Sequence, residues 1–405
     1  MGGLRTRIDY QEATAIIRAA AARHRLGTES IAVKRADGRF LAQDLAAPID
    51  LPAFDNSRMD GFALRHADLA SSGDSELHII GAQFAGPATG IALGQGECLR
   101  ITTGAPIPAG ADTVVIKENV HERDGLLRVP AGVASGADIR HAGEDVRIGE
   151  VVLRSGSPLS PARISLAAAL GVAELEVSRR PTVAVFTTGD ELVEPGLPLA
   201  HGQVYNSNRE LLMGLLRDEG LEPVAWPSLP DDPARIETAF RDAASAFDLV
   251  ITCGGVSVGE KDHLPALLAE QGTIHFWKVR MKPGMPVLFG EMDRALFLAL
   301  PGNPVSVLAT FLTLGRDLLD GLQGRSEPRG RRFARLSAPW SKSHGRLEFL
   351  RGRLQHGEDA VLRVRPDPAD ASHRLRAAAA SDALIVLAEA PRTYQAGDIV
   401  EIIAY

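Results

Sequence analysis

Between residues 183 and 314, short apolar runs alternate with longer amphipathic stretches, and this rhythm restricts the possible folds more than any other feature. VAVFTT (183–188), DLVITC (248–253), TIHFWKVRM (273–281) and LFLALPG (296–302) read as buried strands. NRELLMGLLRDEG (208–220), ARIETAFRDAASAF (234–247), HLPALLAEQG (263–272) and VSVLATFLTL (305–314) read as helices. Their starts carry helix-entry signals: Ser207 with Glu210 at capping-box spacing, Asp232-Pro233, and Asn303-Pro304. Strands alternating with helices of this length predict a parallel α/β sheet covered on both faces. Ligands of such sheets gather outside the carboxyl ends of the strands.

The flanking regions have a different texture. Asp9 and Glu12 open an N-terminal helix whose Ala13, Ile16, Ile17 and Ala20 fall on one face. From about residue 48 to 158, glycine and proline are frequent and apolar runs such as Thr113 to Ile116 are short, the pattern of strands with irregular loops. Ser160 and Pro161 start a helix in SPARISLAAALG (160–171). Beyond Gly330, short apolar stretches separated by turns predict a small β domain. Its first part carries Arg329, Arg331, Arg332, Arg335, Lys342, Arg346, Arg351 and Arg353 against Glu348 as the only acid, which reads first as a solvated basic face. The expected class is α/β multidomain, with a parallel-sheet α/β domain and β-rich domains on either side.

Composition narrows the function. A net charge of −7 argues against a protein built mainly to grip nucleic acid. Cys98 and Cys253 are the only thiols, so neither a disulfide framework nor a zinc–cysteine cluster is expected. No apolar run approaches the roughly 20 residues of a membrane span, and MGGLRTRIDY lacks the apolar core of a signal peptide. The expectation is a cytoplasmic protein with no membrane partner.

The chemistry concentrates at the predicted strand ends. ITCGGVSVGEKD (251–262) ends a strand in Gly254-Gly255, passes Ser257 and closes on Asp262. Paired glycines let backbone N–H groups approach an anion. Neither the Walker A pattern nor the dinucleotide fingerprint fits, so the loop points to a phosphate or oxyanion held by another device. Thr188-Gly189-Asp190-Glu191, Asp231-Asp232 and Asp262 place several acids at one edge. Oxygen ligands of this kind suit Mg²⁺ bound together with a phosphate. Asp232 before Pro233 is accounted for as a helix cap. Asp262 fits a cap as well as a site residue, and Glu191 a solvated loop as well as a site. In HFWKVRMKPG (275–284), strand alternation predicts Lys278, Arg280 and Lys282 on one face, with Trp277, Val279 and Met281 on the other. Such a row suits a polyanion or a solvent-facing edge strand. PAFDNSRMDGFALR (52–65), with Asp60, reads as a rich turn. RITTGAPIPAGADTVVIKE (100–118) contributes Thr103 on a loop, and DIRHAGEDV (138–146) contributes Arg140, Glu144 and Asp145. Spacing alone yields an Mg²⁺-assisted, phosphate-handling site.

Taken together, these three segments with VAVFTTGDELV, GQVYNSNR, DLVITCGGVSVGEKD, FWKVRMKPGMP and LPGNPVSV resemble the molybdopterin molybdenumtransferase family, bacterial molybdenum-insertion enzymes related to the E domain of gephyrin. In the family's order they span residues 52 to 307, and EFLRGRL (348–354) extends the likeness. The resemblance implies a segmented linking domain (1–50 and 140–178), a β-rich domain (51–139), an α/β molybdopterin-binding domain (179–328) and a small C-terminal β domain (329–405). It implies a homodimer with a composite site, and a reaction in which molybdate and adenylated molybdopterin give molybdenum cofactor and AMP with Mg²⁺. A separate adenylyltransferase is the further partner it points to.

Residue by residue, the resemblance assigns catalytic roles to Asp60, Thr103, Asp145, Glu191, Asp231 and Asp262. It puts Mg²⁺ on Glu191, Asp231 and Asp262, and substrate on Arg140, Gly254, Gly255, Ser257, Lys278, Lys282, Pro301 and Pro304. Asp60 and Thr103 would face the partner subunit's α/β domain. Three alternatives stay open at this point: adenylation of molybdopterin, tungstate insertion, and a gephyrin-like scaffold without catalysis. The Cys253-Gly254-Gly255-Val256-Ser257 loop differs from the Thr-Gly-Gly-Thr-Gly loop of the adenylyltransferases, which disfavours the first.

Overall fold

A computed structural model of the chain describes residues 4–255, 263–369 and 371–405. The chain forms two compact units, one of residues 30–177 and one of residues 1–29 with 178–405.

The larger unit is organised by a seven-stranded sheet in the order Thr6–Ile8, Thr273–Val279, Leu288–Met292, Ala295–Leu300, Leu249–Cys253, Val183–Thr187, Val224–Ala225. The last four of these are mutually parallel. The sheet as a whole is mixed, which corrects the all-parallel expectation. Leu288–Met292 runs antiparallel to both neighbours. Its five residues were hidden in the sequence because Asp293 and Arg294 alone separate them from the next strand, with Asp293 in the left-handed region at φ 52°.

Both faces of the sheet are buried, so its strands are apolar on both sides. Val185, Ile251 and Leu298 face a core shared with Leu212, Leu216, Leu308 and Phe311. Phe186, Val250 and Phe297 face Ile236, Phe240, Leu264 and Leu268 on the other side. There Phe186 stacks on Trp226 at 4.9 Å between centroids and meets Phe240 edge-on at 5.0 Å.

The caps follow the sequence with one shift. Asp9 accepts from the Glu12 N–H at 2.7 Å and starts Tyr10–Arg23. Asp232 accepts from the Ala234 and Arg235 N–H groups and starts Pro233–Ala246. Helix Ser207–Asp218 is capped one residue earlier than the capping-box spacing implied, by Asn206. The N-terminal helix Tyr10–Arg23 is part of the larger unit. Thr6–Ile8 pairs with Thr273–Val279 at the sheet edge, and Ala13, Ile17, Ala20 and Ala21 bury their stripe in the larger unit's core.

Within the same unit, strands Arg332–Leu336, Leu347–His356, Leu362–Pro366, Ala383–Leu387 and Ile399–Ala404 pair in a closed circuit around Leu350, Val364, Ile385 and Ile402. Met281–Lys282 joins this barrel by parallel pairing with Leu347 and Glu348. The expected basic face is solvated only in part: Arg331, Arg332, Arg335 and Arg353 are exposed. Arg329 binds Glu219 and Asp320, and Arg331 binds Glu401. Lys342 and Arg351 are buried and donate to backbone carbonyls.

The smaller unit contains a six-stranded sheet in the order Thr113–Ile116, Gly61–Leu64, Glu97–Ile101, Ser75–Gln83, Leu126–Val129, His121–Arg123. Phe62, Leu64, Leu77, Val115 and Leu127 form its core. A second cluster in this unit gathers Leu41, Leu153, Leu159, Ala167 and Leu175.

One buried charge sits at the start of strand Leu249–Cys253. Asp248 is 7% exposed and accepts from Arg179 at 2.9 and 3.1 Å, from the Thr182 N–H and hydroxyl at 2.8 and 2.7 Å, and from Arg294 at 3.1 Å. Burial raises this carboxyl, but the hydrogen bonds from Arg179 and Thr182 outweigh it and bring it to about 2, from 3.8. A depressed acid stabilises the fold above its unfolded value and loses that contribution as pH falls through the folded one. Asp248→Asn is therefore expected to cost about 2 kcal/mol at pH 7 in urea unfolding. The gap to wild type should narrow between pH 4 and about pH 2, and an equal gap at both ends would contradict this assignment.

Candidate active site

Parallel pairing brings the ends of Val183–Thr187, Val224–Ala225, Leu249–Cys253 and Ala295–Leu300 to one edge, and the loops that follow are hydrogen-bonded side by side. The Thr188 N–H donates to Cys253 O, the Gly189 N–H to Leu229 O, and the Gly254 N–H to Leu300 O. Glu191, Asp231, Gly254, Gly255, Pro301 and Pro304 are thereby collected at this edge.

Asp190 and Asp231 come from different loops, and the Asp190 carboxylate accepts from the Asp231 N–H at 3.0 Å. Glu191 folds back over Gly189, which has a φ of 147° and where a Cβ would meet the Glu191 carboxylate. Gly254 and Gly255 have φ of 93° and 67° and lie against Thr188. A Cβ on Gly254 would sit 2.8 Å from Thr188 O and 2.9 Å from its hydroxyl. Pro301 is buried, and Pro304 is the first residue of helix Pro304–Thr310. Ser257 and Asp262 lie outside the described residues.

Several polar residues that spacing did not single out complete this edge. Buried Asn206 donates to the Thr187 hydroxyl and the Ser228 hydroxyl, both at 2.8 Å. Asn208 donates to Gly302 O at 2.6 Å, which leaves its Oδ1 as the acceptor turned elsewhere. Thr188 Oγ1 and Asn208 Oδ1 are buried without a hydrogen-bond partner among the described residues. Such atoms are uncommon in folded proteins and mark places where a ligand or water completes the bonding. VYNSNR carries both asparagines, but the helix-entry signal read there pointed to Ser207, whereas the structure makes Asn206 the cap.

The cations sit at the same end of strand Thr273–Val279, but the simple alternation fails. Val279 and Met281 share one core with Phe276, while Trp277 packs on the opposite one. Lys278 lies between them with φ of 73°, and this left-handed residue breaks the period of two. Its ammonium sits 4.4 Å from the centroid of the Trp277 ring. Lys282 lies 3.0 Å from Glu348, and Arg280 lies 3.8 Å from Glu389. The three basic residues therefore do not form the uniform row that alternation predicts.

The smaller unit holds the other expected site residues. Asp60 Oδ1 accepts from the Thr103 N–H at 2.9 Å and its hydroxyl at 3.0 Å, and Lys117 lies 3.6 Å away. The Thr103 bonds, with help from Lys117, hold the Asp60 carboxyl below its usual range. Arg140 lies opposite Asn56 in a two-stranded ribbon, and exposed Asp145 is fixed through its N–H to Leu51 O.

Glu191 and Asp231 offer hard oxygen ligands, the donor type Mg²⁺ takes, and Asp262 is beyond description. Among the described residues, no three His, Cys, Asp or Glu side chains gather into a metal-holding group. Both cysteines are buried, and burial pushes their thiols up, away from reactivity. No helix is long and apolar enough to cross a membrane, among the described residues.

The chain matches three family models: "MoeA N-terminal region (domain I and II)" over residues 8–171, "Probable molybdopterin binding domain" over 184–321, and "MoeA C-terminal region (domain IV)" over 334–405. It is 40% identical to a molybdopterin molybdenumtransferase of Haemophilus influenzae over 380 residues, 93% of each chain. It is 37% identical to molybdopterin molybdenumtransferase 2 of Mycobacterium tuberculosis over 385 residues, 93% of this chain and 92% of that one. A crystal structure of the molybdopterin biosynthesis moeA protein from Pyrococcus horikoshii OT3 superposes with a TM-score of 0.83 at 29% identity, covering 98% of this chain and all of that one.

Gly254→Ala tests the packing of the loops. The substitution forces a left-handed alanine and a Cβ against the Thr188 backbone, so a loss of about 2–4 kcal/mol is expected. Urea unfolding measures it, and a stability equal to wild type would show that the loops are not packed as described.

Proposed function

Because the chain belongs to the MoeA family and is a molybdopterin molybdenumtransferase, we propose that the carboxyl edge of its seven-stranded sheet is where molybdate and adenylated molybdopterin react to give molybdenum cofactor and AMP. The observation that carries this placement is the convergence at one edge of acids, paired glycines and buried polar atoms that have no partner among the described residues, on loops bonded to one another.

The reacting substrates are both anions, and cleavage of the phosphoanhydride places more charge on the departing AMP. Fixed cations and dipoles lower the barrier by matching that developing charge better than they match the ground state. Lys278 and Lys282 are the cations for molybdate or phosphate oxygens. Gly254 and Gly255 let backbone approach the anhydride where a side chain would stand in the way. The Thr188 hydroxyl can donate to an anionic oxygen, and Asn208 Oδ1 can accept from an N–H of the pterin. Glu191 and Asp231 would hold Mg²⁺, which when bound supplies charge neutralisation at the phosphate oxygens. Two carboxylates suffice for an ion that completes its shell with water and substrate phosphate.

Asp60 and Thr103 belong to the same reading as a preorganised pair. In a homodimer they would reach the partner subunit's sheet edge, with Arg140 and Asp145 nearby to complete a composite site. The bonds from Thr103 keep Asp60 ionised and fixed before substrate arrives.

The assay follows AMP release and cofactor formation from adenylated molybdopterin, molybdate and Mg²⁺. AMP release that requires molybdate is expected; AMP release indifferent to molybdate, or none, would overturn the proposal. Glu191→Gln should lower kcat on the order of a hundredfold with little change in Tm, since it removes charge from an exposed loop. Wild-type turnover in that variant would remove Glu191 from the machinery.

A further inference from the structure

We propose that Glu348, on the C-terminal barrel, is a positioning residue for Lys282, holding its ammonium where the anionic substrate is received. This rests on the reading of Lys282 given above. Parallel pairing sets Lys282 directly opposite Glu348, and Lys282 Nζ lies 3.0 Å from Glu348 Oε1. The pair is asymmetric in its burial. The Glu348 side chain is 3% exposed, whereas that of Lys282 is 28% exposed. A sealed carboxylate requires a close cation, because an unpaired buried charge is strongly unfavourable.

The neighbouring bases do not supply that cation equally well. Lys342 turns its ammonium onto His344 O at 2.6 Å and Ala390 O at 3.0 Å. His344 Nε2 is 3.5 Å from the other Glu348 oxygen, beyond a short contact. Burial first, with the cations Lys282, Lys342 and Arg346, holds His344 below its usual value despite the pull of Glu348, which works against its serving as a second cation for that carboxylate. Lys282 is therefore the direct ionic partner of Glu348. A lysine head on a four-carbon stem samples many rotamers, and one donor committed to an immobile acceptor fixes it. The barrel thereby reaches Lys282 through an ion pair made by a strand whose sequence, LEFLRGRL, reads as one short apolar stretch of the small β domain.

The test uses the full-length enzyme in the AMP-release assay at varied molybdate, under single-turnover conditions with Tm recorded. Glu348→Gln should raise the molybdate concentration for half-maximal rate about tenfold, the weight of one charge-assisted hydrogen bond, with a smaller effect on the limiting rate. Glu348→Asp, which keeps the charge on a shorter arm, should raise it about threefold and carries the test if the Gln variant does not fold. Lys282→Ala should raise it by itself, and adding either Glu348 substitution to Lys282→Ala should raise it no further. A Glu348 variant with the wild-type value, or one whose effect persists undiminished in Lys282→Ala, would overturn the positioning role. If Lys282→Ala itself leaves the molybdate dependence unchanged, the assignment of Lys282 to the anion falls, and the role of Glu348 with it.

Discussion

The site depends on the parallel pairing of Val183–Thr187 and Leu249–Cys253 with their neighbours on either side. Parallel strands end at the same edge, so segments far apart in sequence deliver their loops to one place. Backbone hydrogen bonds from Thr188 to Cys253, from Gly189 to Leu229 and from Gly254 to Leu300 then turn four loops into one surface. The pairing persists because both faces of the sheet are buried, and at the opposite end of strand Leu249–Cys253 Asp248 ties in Arg179, Thr182 and Arg294. Packing is thus the source of the site's geometry, and polar chemistry is confined to the edge where packing stops.

Charge is divided along the same lines. Acids lie on the loops after the parallel strands, whereas Lys278 lies near the end of the strand Thr273–Val279 and Lys282 just beyond it. The left-handed turn at Lys278 and the transfer of Met281–Lys282 to the barrel give these lysines separate settings. One lies over an indole ring and the other beside a sealed carboxylate. An anion received by Lys282 therefore meets an ammonium whose position is set by a different sheet.

Much of this was legible in the sequence, for reasons that can be named. Apolar runs such as DLVITC and capped helices such as Asp232-Pro233 carry their own local signals, and the structure places them as read. Local signals were not enough for strand Leu288–Met292, which is visible only through its pairing, or for the packing of Tyr10–Arg23, whose apolar stripe fits any core. The alternation argument failed at Lys278 because it assumes an extended backbone throughout. That Glu191 and Asp231 lie on loops at one sheet edge followed from topology, but Asn208 and Thr188 became notable only when their partners among the described residues could be counted. The arginines after residue 328 read as a surface because composition does not reveal which acids and carbonyls will meet them.

The central claim is that the adenylated pterin is held at this sheet edge. A crystal structure of the full-length protein with adenylated molybdopterin and Mg²⁺ measures it directly. The phosphoanhydride is expected over Gly254 and Gly255, with the metal on oxygens of Glu191 and Asp231. Density for the nucleotide anywhere else on the subunit, with that edge holding only water, would contradict it.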